Sequence, residues 1–242
     1  MIAHTVPKAI IVALDFSTEQ SCCALLDQLD PSQCRVKIGK ELFTSIGPNI
    51  VRRAIDSGFD VFLDLKFHDI PNTVAAACRA AADLGVWMVN VHASGGRQMM
   101  EAAREELAHL SSRPLLVAVT VLTSLDDSAV RELGFADDTN ALVKRLARLS
   151  HDCGVDGVVC SPHEIRMIKE CCSNQFLAVT PGVRPKGSDL GDQRRVATPS
   201  EAFSAGADFL VIGRPISRAA DCAAALTAIY SELRADHSAE NR

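Results

Sequence analysis

Aromatic side chains are scarce in this chain: with one Trp and one Tyr, they make up only 5% of 242 residues. Stacking platforms for nucleic-acid bases are correspondingly few. No block of Lys or Arg occurs and the formal net charge is -5, so a nucleic-acid partner is not expected. The longest apolar runs fall well short of a bilayer span. The first residues, Met1-Ile-Ala-His-Thr-Val-Pro-Lys8, contain no signal-peptide hydrophobic region. No membrane partner is expected, and a cytoplasmic location is. The nine cysteines are odd in number and include no C-x-x-C, which argues against a disulfide framework or a zinc ribbon. They read as small buried hydrophobes of a reducing compartment. The histidines show neither H-x-x-x-H nor H-E-x-x-H spacing. His92 reads as a packed or supporting group, and no metal is expected.

What is present is a core-rich chain, 48% hydrophobic, in which strand-like and helix-like segments alternate. Apolar strands are read at 9–15, 34–39, 60–67, 88–92, 114–122, 156–160, 175–180 and 207–213. Helices are read at 20–29, with Ser17 or Thr18 as cap, and at 49–57, 71–84, 98–110, 126–133, 138–153, 162–172 and 215–233. Eight strands, each followed by a helix, predict a (β/α)₈ barrel over residues 1–234 with a polar tail at 235–242. The rival is an open doubly wound sheet, but no G-x-G-x-x-G follows the first strand. Polar residues recur at the strand C-termini: Asp15, Lys37, Asp64, Lys66, His92, Thr123 and Arg184. In a barrel those ends form one active-site face.

The most informative segment is Asp64-Leu-Lys66-Phe-His-Asp69-Ile-Pro-Asn-Thr73. It ends one apolar strand and opens a helix. Alternation along a strand puts Asp64 and Lys66 on one face, about 7 Å apart along the backbone. Lys37 sits in a similar apolar setting, Val36-Lys37-Ile38. Lysines are almost never buried without partners, so two strand-embedded lysines and two nearby carboxylates predict an alternating charged network rather than an ordinary surface salt bridge.

Asp15 is either a common helix N-terminal acid or an acceptor for a sugar hydroxyl. Ile212-Gly213-Arg214-Pro215 joins a Gly turn to a helix start and adds a guanidinium, a combination suited to an anion after the eighth strand. The polar stretch Pro181 to Arg195 carries Arg184, Lys186, Arg194 and Arg195. It reads as a lid over that anion.

The long motif around Asp64, together with Ala-Leu-Asp15, Val-Lys37-Ile-Gly, Leu-Thr123-Ser, Thr-Pro181-Gly-Val-Arg184 and Ile-Gly213-Arg214-Pro, resembles the bacterial orotidine 5′-phosphate decarboxylase family. The resemblance spans about Ile10 to Ala220. It implies conversion of orotidine 5′-phosphate to UMP and CO₂, the last step of pyrimidine synthesis, without cofactor or metal. It implies Lys66 as proton donor to C6, with Lys37, Asp64 and Asp69 completing a charged tetrad. It implies a homodimer in which Asp69 and Thr73 reach the partner's site. Asp15 and Lys37 would contact the ribose, and Thr123 would lie near the pyrimidine. Arg184, Gln193, Gly213 and Arg214 would hold the phosphate, with Pro181 beside them and Gln193 also within reach of the base.

Two alternatives accompany this expectation. One is a related barrel, such as 3-keto-gulonate 6-phosphate decarboxylase or hexulose-phosphate synthase, which resembles the chain through D-x-K-x-x-D but uses magnesium and an acid on the second strand, where this chain has Lys37. The other is a non-catalytic nucleotide-binding barrel, which would need a phosphate site but not opposed Lys/Asp pairs.

Overall fold

Val, Ile and Leu dominate the strands because each strand of a barrel is covered on both faces. The computed structural model describes residues 8–185 and 197–240. Eight parallel strands close on themselves in sequence order. They are β1 (Ile10–Ala13), β2 (Arg35–Gly39), β3 (Val61–Phe67), β4 (Met88–His92), β5 (Leu115–Val119), β6 (Gly157–Val159), β7 (Leu177–Thr180) and β8 (Phe209–Ile212). Around them run α1 (Glu19–Leu26), α2 (Lys40–Ile46), α3 (Asn49–Asp56), α4 (Pro71–Asp83), α5 (Arg97–Ala108) and α6 (Asp127–Glu132). The ring continues with α7 (Thr139–Asp152), α8 (Ile165–Cys171), α9 (Pro199–Ser204), α10 (Arg214–Ser217) and α11 (Cys222–Glu240). The chain is a (β/α)₈ barrel, as the alternation predicts, and not an open sheet.

Side-chain alternation divides the core in two. Ile11, Ala13, Phe62, Met88, Val117, Val179 and Val211 pack together inside the barrel. The intervening residues, such as Ile10, Val12, Leu63 and Val89, pack outward in a larger cluster that takes in the helices. The interior floor is closed by Arg35, whose guanidinium lies 4.2 Å from the Trp87 ring centroid and 5.2 Å from that of Phe209. Arg35 also sits 3.3 Å from Asp60. With the floor sealed by a cation on aromatic faces, the open end lies at the strand C-termini.

Local signals explain most helix starts. Thr18 caps α1 by accepting the Ser21 N–H, and Pro71 opens α4, where its missing N–H costs nothing. The structure departs from the sequence reading in three places. α2 starts directly at the end of β2 behind Gly39, with no side-chain cap to announce it. α9 falls in the stretch between the lid segment and the eighth strand, for which the sequence suggested no element; it is a six-residue helix held by a capping box between Thr198 and Glu201. The single closing helix expected from Pro215 is two helices, α10 and α11, and α11 continues to Glu240, past Arg234, where a polar tail was expected.

Candidate active site

Lys37, Asp64 and Asn90 stand at successive inward positions near the ends of β2, β3 and β4. Register explains the convergence: Ala13 pairs with Lys37, Lys37 with Phe62, and Phe62 with Met88. Each polar residue thus continues an inward row whose lower members are the apolar filling of the barrel. Asp64 is the hub. Its Oδ1 accepts the Lys66 ammonium at 2.5 Å and the Asn90 Nδ2 at 2.7 Å. Its Oδ2 lies 3.4 Å from Lys37 Nζ. Lys37 Nζ also meets Asp15 Oδ1 at 3.1 Å. Positive and negative groups therefore alternate in the order Asp15, Lys37, Asp64, Lys66.

Electrostatics keeps the two central groups, Lys37 and Asp64, ionised. Burial works against the Lys37 ammonium, but Asp64 and then Asp15 outweigh it and hold its pKa above the usual lysine value. Burial likewise favours a neutral Asp64, yet Lys37 and Lys66 with their hydrogen bonds hold its carboxyl below the usual carboxylate range. His92, at the end of β4, behaves differently. Burial, then the neighbouring His68 and the cations Lys40 and Lys66, push its pKa down to about 4.

The position of Lys66 depends on an irregularity that strand alternation does not predict. Leu63 pairs with Val89 and Phe67 with Val91, so the register slips between them. Lys66 has φ +53, in the left-handed region. For a residue with a Cβ this costs about 1–2 kcal/mol. Such strain persists only where surrounding contacts hold it, and it concentrates at functional sites.

A cavity of about 500 Å³ opens beside this row and is lined by Asp15, Lys37, Pro181, Arg184, Gly213 and Arg214, among others. That size suits a small-molecule ligand. Asp64 and Lys66 are not among its lining residues; Lys37 links the two, lining the cavity and touching Asp64. Arg184 is buried, with its backbone N–H bonded to Ala197 O at 2.9 Å and its guanidinium to Val183 O at 2.8 Å. Val183 and Ala197 form a bridge that ties together the two ends of the segment after β7. The intended lid residues Lys186, Gln193, Arg194 and Arg195 lie outside the described residues.

Three other expected site residues lie outside the hydrogen bonds and ion pairs that build the charged row among Asp15, Lys37, Asp64, Lys66 and Asn90. Asp69 and Thr73 are exposed, and Asp69 Oδ1 accepts the Ile70 N–H at 2.7 Å. Ile70 beside it is 67% exposed. Thr123 is half-buried between β5 and α6. Sequence reasoning passed over Asn90, whose signal is a lone amide inside Met88-Val-Asn-Val-His92, and over Phe16, Glu41, Ser217 and Arg218, which also line the cavity. Among the described residues, no group of three or more His, Cys, Asp or Glu side chains is arranged to hold a metal ion, and no helix is long and apolar enough to cross a membrane.

Comparison with known proteins gives this geometry a context. Residues 8–229 match the model of the orotidine 5′-phosphate decarboxylase / HUMPS family. A protein from Pectobacterium carotovorum named orotidine 5′-phosphate decarboxylase is 56% identical over 231 residues, 95% of this chain and 94% of that protein. One of the same name from Chromobacterium violaceum is 58% identical over 224 residues, 93% of this chain and 91% of that protein. The crystal structure of orotidine 5′-phosphate decarboxylase from Lactobacillus acidophilus superimposes with a TM-score of 0.84 at 40% identity, covering 93% of this chain and 98% of that one. The chain belongs to the orotidine 5′-phosphate decarboxylase / HUMPS family.

Proposed function

We propose that this protein decarboxylates orotidine 5′-phosphate to UMP and CO₂ in pyrimidine synthesis, using no metal or cofactor. The observation that carries the reading is the alternating row of ion pairs Asp15–Lys37–Asp64–Lys66 at the barrel mouth, beside a cavity walled by Arg184 and Arg214. The close relatives bear the name of this activity.

The chemistry needs such a row. Loss of CO₂ from C6 leaves an sp² carbanion that the ring delocalises poorly, so stabilisation must be electrostatic. Lys66 places an ammonium where that charge develops and then delivers the proton. Asp64, set against the departing carboxylate, raises the ground state. Two unit charges about 3.5 Å apart at an effective dielectric near 20 repel by roughly 5 kcal/mol. Enzymes lower barriers by about 8–23 kcal/mol, so repulsion covers only part of the requirement. The fixed lysines and the binding energy of the phosphate supply the remainder.

Binding is divided along the cavity. Asp15 and Lys37 take the ribose, and Thr123 lies by the pyrimidine. Gly213, Arg214, Arg184 and Gln193 take the phosphate, next to Pro181. A second copy of the chain completes the site with Asp69 and Thr73, making the protein a homodimer of the cytoplasm. The exposure of Ile70 between these two residues supports a partner surface there. The magnesium-dependent sugar-phosphate barrels would need an acid on β2, where Lys37 already supplies a fixed cation to Asp64.

The test is to mix the protein with orotidine 5′-phosphate and follow the orotate absorbance. It should fall, and EDTA should leave the rate unchanged. No change in absorbance would remove the decarboxylase reading, and loss of rate in EDTA, restored by magnesium, would favour the metal-dependent one. Arg214→Ala should weaken turnover of the phosphorylated substrate far more than that of the bare nucleoside; equal losses would remove the phosphate assignment.

A further inference from the structure

We propose that Asn90 is the residue that positions Lys66: its side-chain amide holds the left-handed backbone in place and fixes the carboxylate that the ammonium meets. The inference rests on the decarboxylase reading for its kinetic consequences and on geometry for its substance.

Between the Leu63–Val89 and Phe67–Val91 pairs, β3 spends four residues where β4 spends two. The Lys66 N–H therefore needs an acceptor other than the regular ladder. The Asn90 side chain provides it, with Oδ1 accepting that N–H at 2.8 Å. Its Nδ2 donates to Asp64 Oδ1 at 2.7 Å, the same oxygen that takes the Lys66 ammonium. Asn90 is fully buried, with no exposed surface through which water could replace it.

The two partners also fix which way the amide faces. A backbone N–H only donates and an ionised carboxylate only accepts. Flipping the amide would set donor against donor and acceptor against acceptor, so a single orientation satisfies both. Among side chains of this reach, Asn offers an acceptor and a donor together without taking up a proton. Asp would accept from Lys66 but confront Asp64 with a second carboxylate. Leu would satisfy neither and leave the Lys66 N–H with no acceptor. Asn90 thus ties the backbone of Lys66 and the acid beneath its ammonium into one unit, and the side chain is aimed before substrate arrives.

Two variants of the full chain test this, each measured beside the parent protein. Asn90→Leu should lower kcat by about 10- to 100-fold, the range for losing a hydrogen bond to a charged group. KM and the affinity for UMP should hold. Amide hydrogen exchange at Lys66 should accelerate while that of Val89 and Val91 stays slow. Should the leucine variant fail to fold, Asn90→Asp, equal in size, carries the test through its pH profile. The introduced carboxyl beside Asp64 has its pKa raised by like charge, and once protonated it can donate to Asp64 again. Its activity relative to the parent should therefore recover as pH falls from about 8 to about 5. An unchanged kcat in Asn90→Leu overturns the proposal. So does a pH-independent loss in Asn90→Asp, or unaltered exchange at Lys66. Absence of turnover by the parent protein overturns the decarboxylase reading instead, and the exchange measurement then decides the role of Asn90 by itself.

Discussion

Asp64 is the residue on which the site turns, because one carboxylate meets two ammonium groups and an amide. Lys66 can be removed without leaving that charge unpaired, since Lys37 and Asn90 remain. Lys66→Ala should therefore bind UMP nearly as the parent does while losing turnover by about 10³-fold or more, within the range for a general acid that also stabilises charge. Steady-state rates and UMP titration check this, and near-normal turnover would refute Lys66 as the acid. The ionisation of Asp64 and Lys37 also sets pH limits. Asp64 is depressed below the ordinary value of 3.8, so its stabilising contribution is complete above that pH and is lost only as pH falls through the depressed value. Lys37 is raised above 10.5, so its contribution is complete below that pH and is lost as pH rises through the raised value. His92 differs from Asp64 and Lys37 in being favoured in its neutral form. Lowered from 6.5 to about 4, it favours the folded state when neutral, and stability should decline as pH falls between those values. His92→Gln should flatten that slope in urea melts taken at several pH values; an unchanged slope would exclude His92 as its source.

At the scale of elements, the strands are fastened below the site as well as within it. Asp208, just ahead of β8, accepts Lys169 Nζ and the Ala178 N–H, each at 2.7 Å. Asp156, just ahead of β6, takes Arg113 through two 2.7 Å bonds and also accepts the Leu116 N–H at 2.7 Å. Each acid thus ties the start of its own strand to a neighbouring strand and to a cation. Lys169, with its side chain only 11% exposed, also bonds Asn174 O and Phe176 O. Asp208→Ala should cost about 3 kcal/mol, the range for breaking a buried pair, read as a lowered urea midpoint. It should leave KM unchanged, since the pair lies at the end of the barrel opposite the mouth. Most elements were legible in the sequence because apolar runs and caps such as Thr18 and Pro71 mark them. α2 was not, because Gly39 offers no cap. The slip in β3 was not, because Asp64-Leu-Lys66 alternates like any regular strand.

At the scale of the whole molecule, a single chain brings together Asp15, Lys37, Asp64 and Lys66 but leaves Asp69 and Thr73 exposed. If a second copy completes the site, two inactive variants should complement each other. In a dimer of Lys66→Ala with Asp69→Ala, one site retains both Lys66 and Asp69 and the other has neither. Random mixing should restore about a quarter of parental activity, as two-fold symmetry requires. Activity no higher than that of the separate variants would place Asp69 outside a shared site. The charged residues could be picked out in the sequence because ions inside apolar strands are costly and need partners. Asn90 could not, since a neutral amide in a strand is common and only its neighbours reveal its use.

The sequence by itself determined the barrel, since eight doubly covered apolar strands with intervening helices have few other ways to bury their surface. It also determined which ionisable groups gather at the mouth, because strand periodicity assigns each side chain to the inside or the outside. Only the tertiary structure decided how they meet. The contacts among Lys37, Asp64 and Asn90 depend on register between strands, and the aim of Lys66 depends on a slip and a left-handed backbone sustained by a side chain 24 residues away. Long-range pairing of that kind leaves no periodic trace in the local sequence.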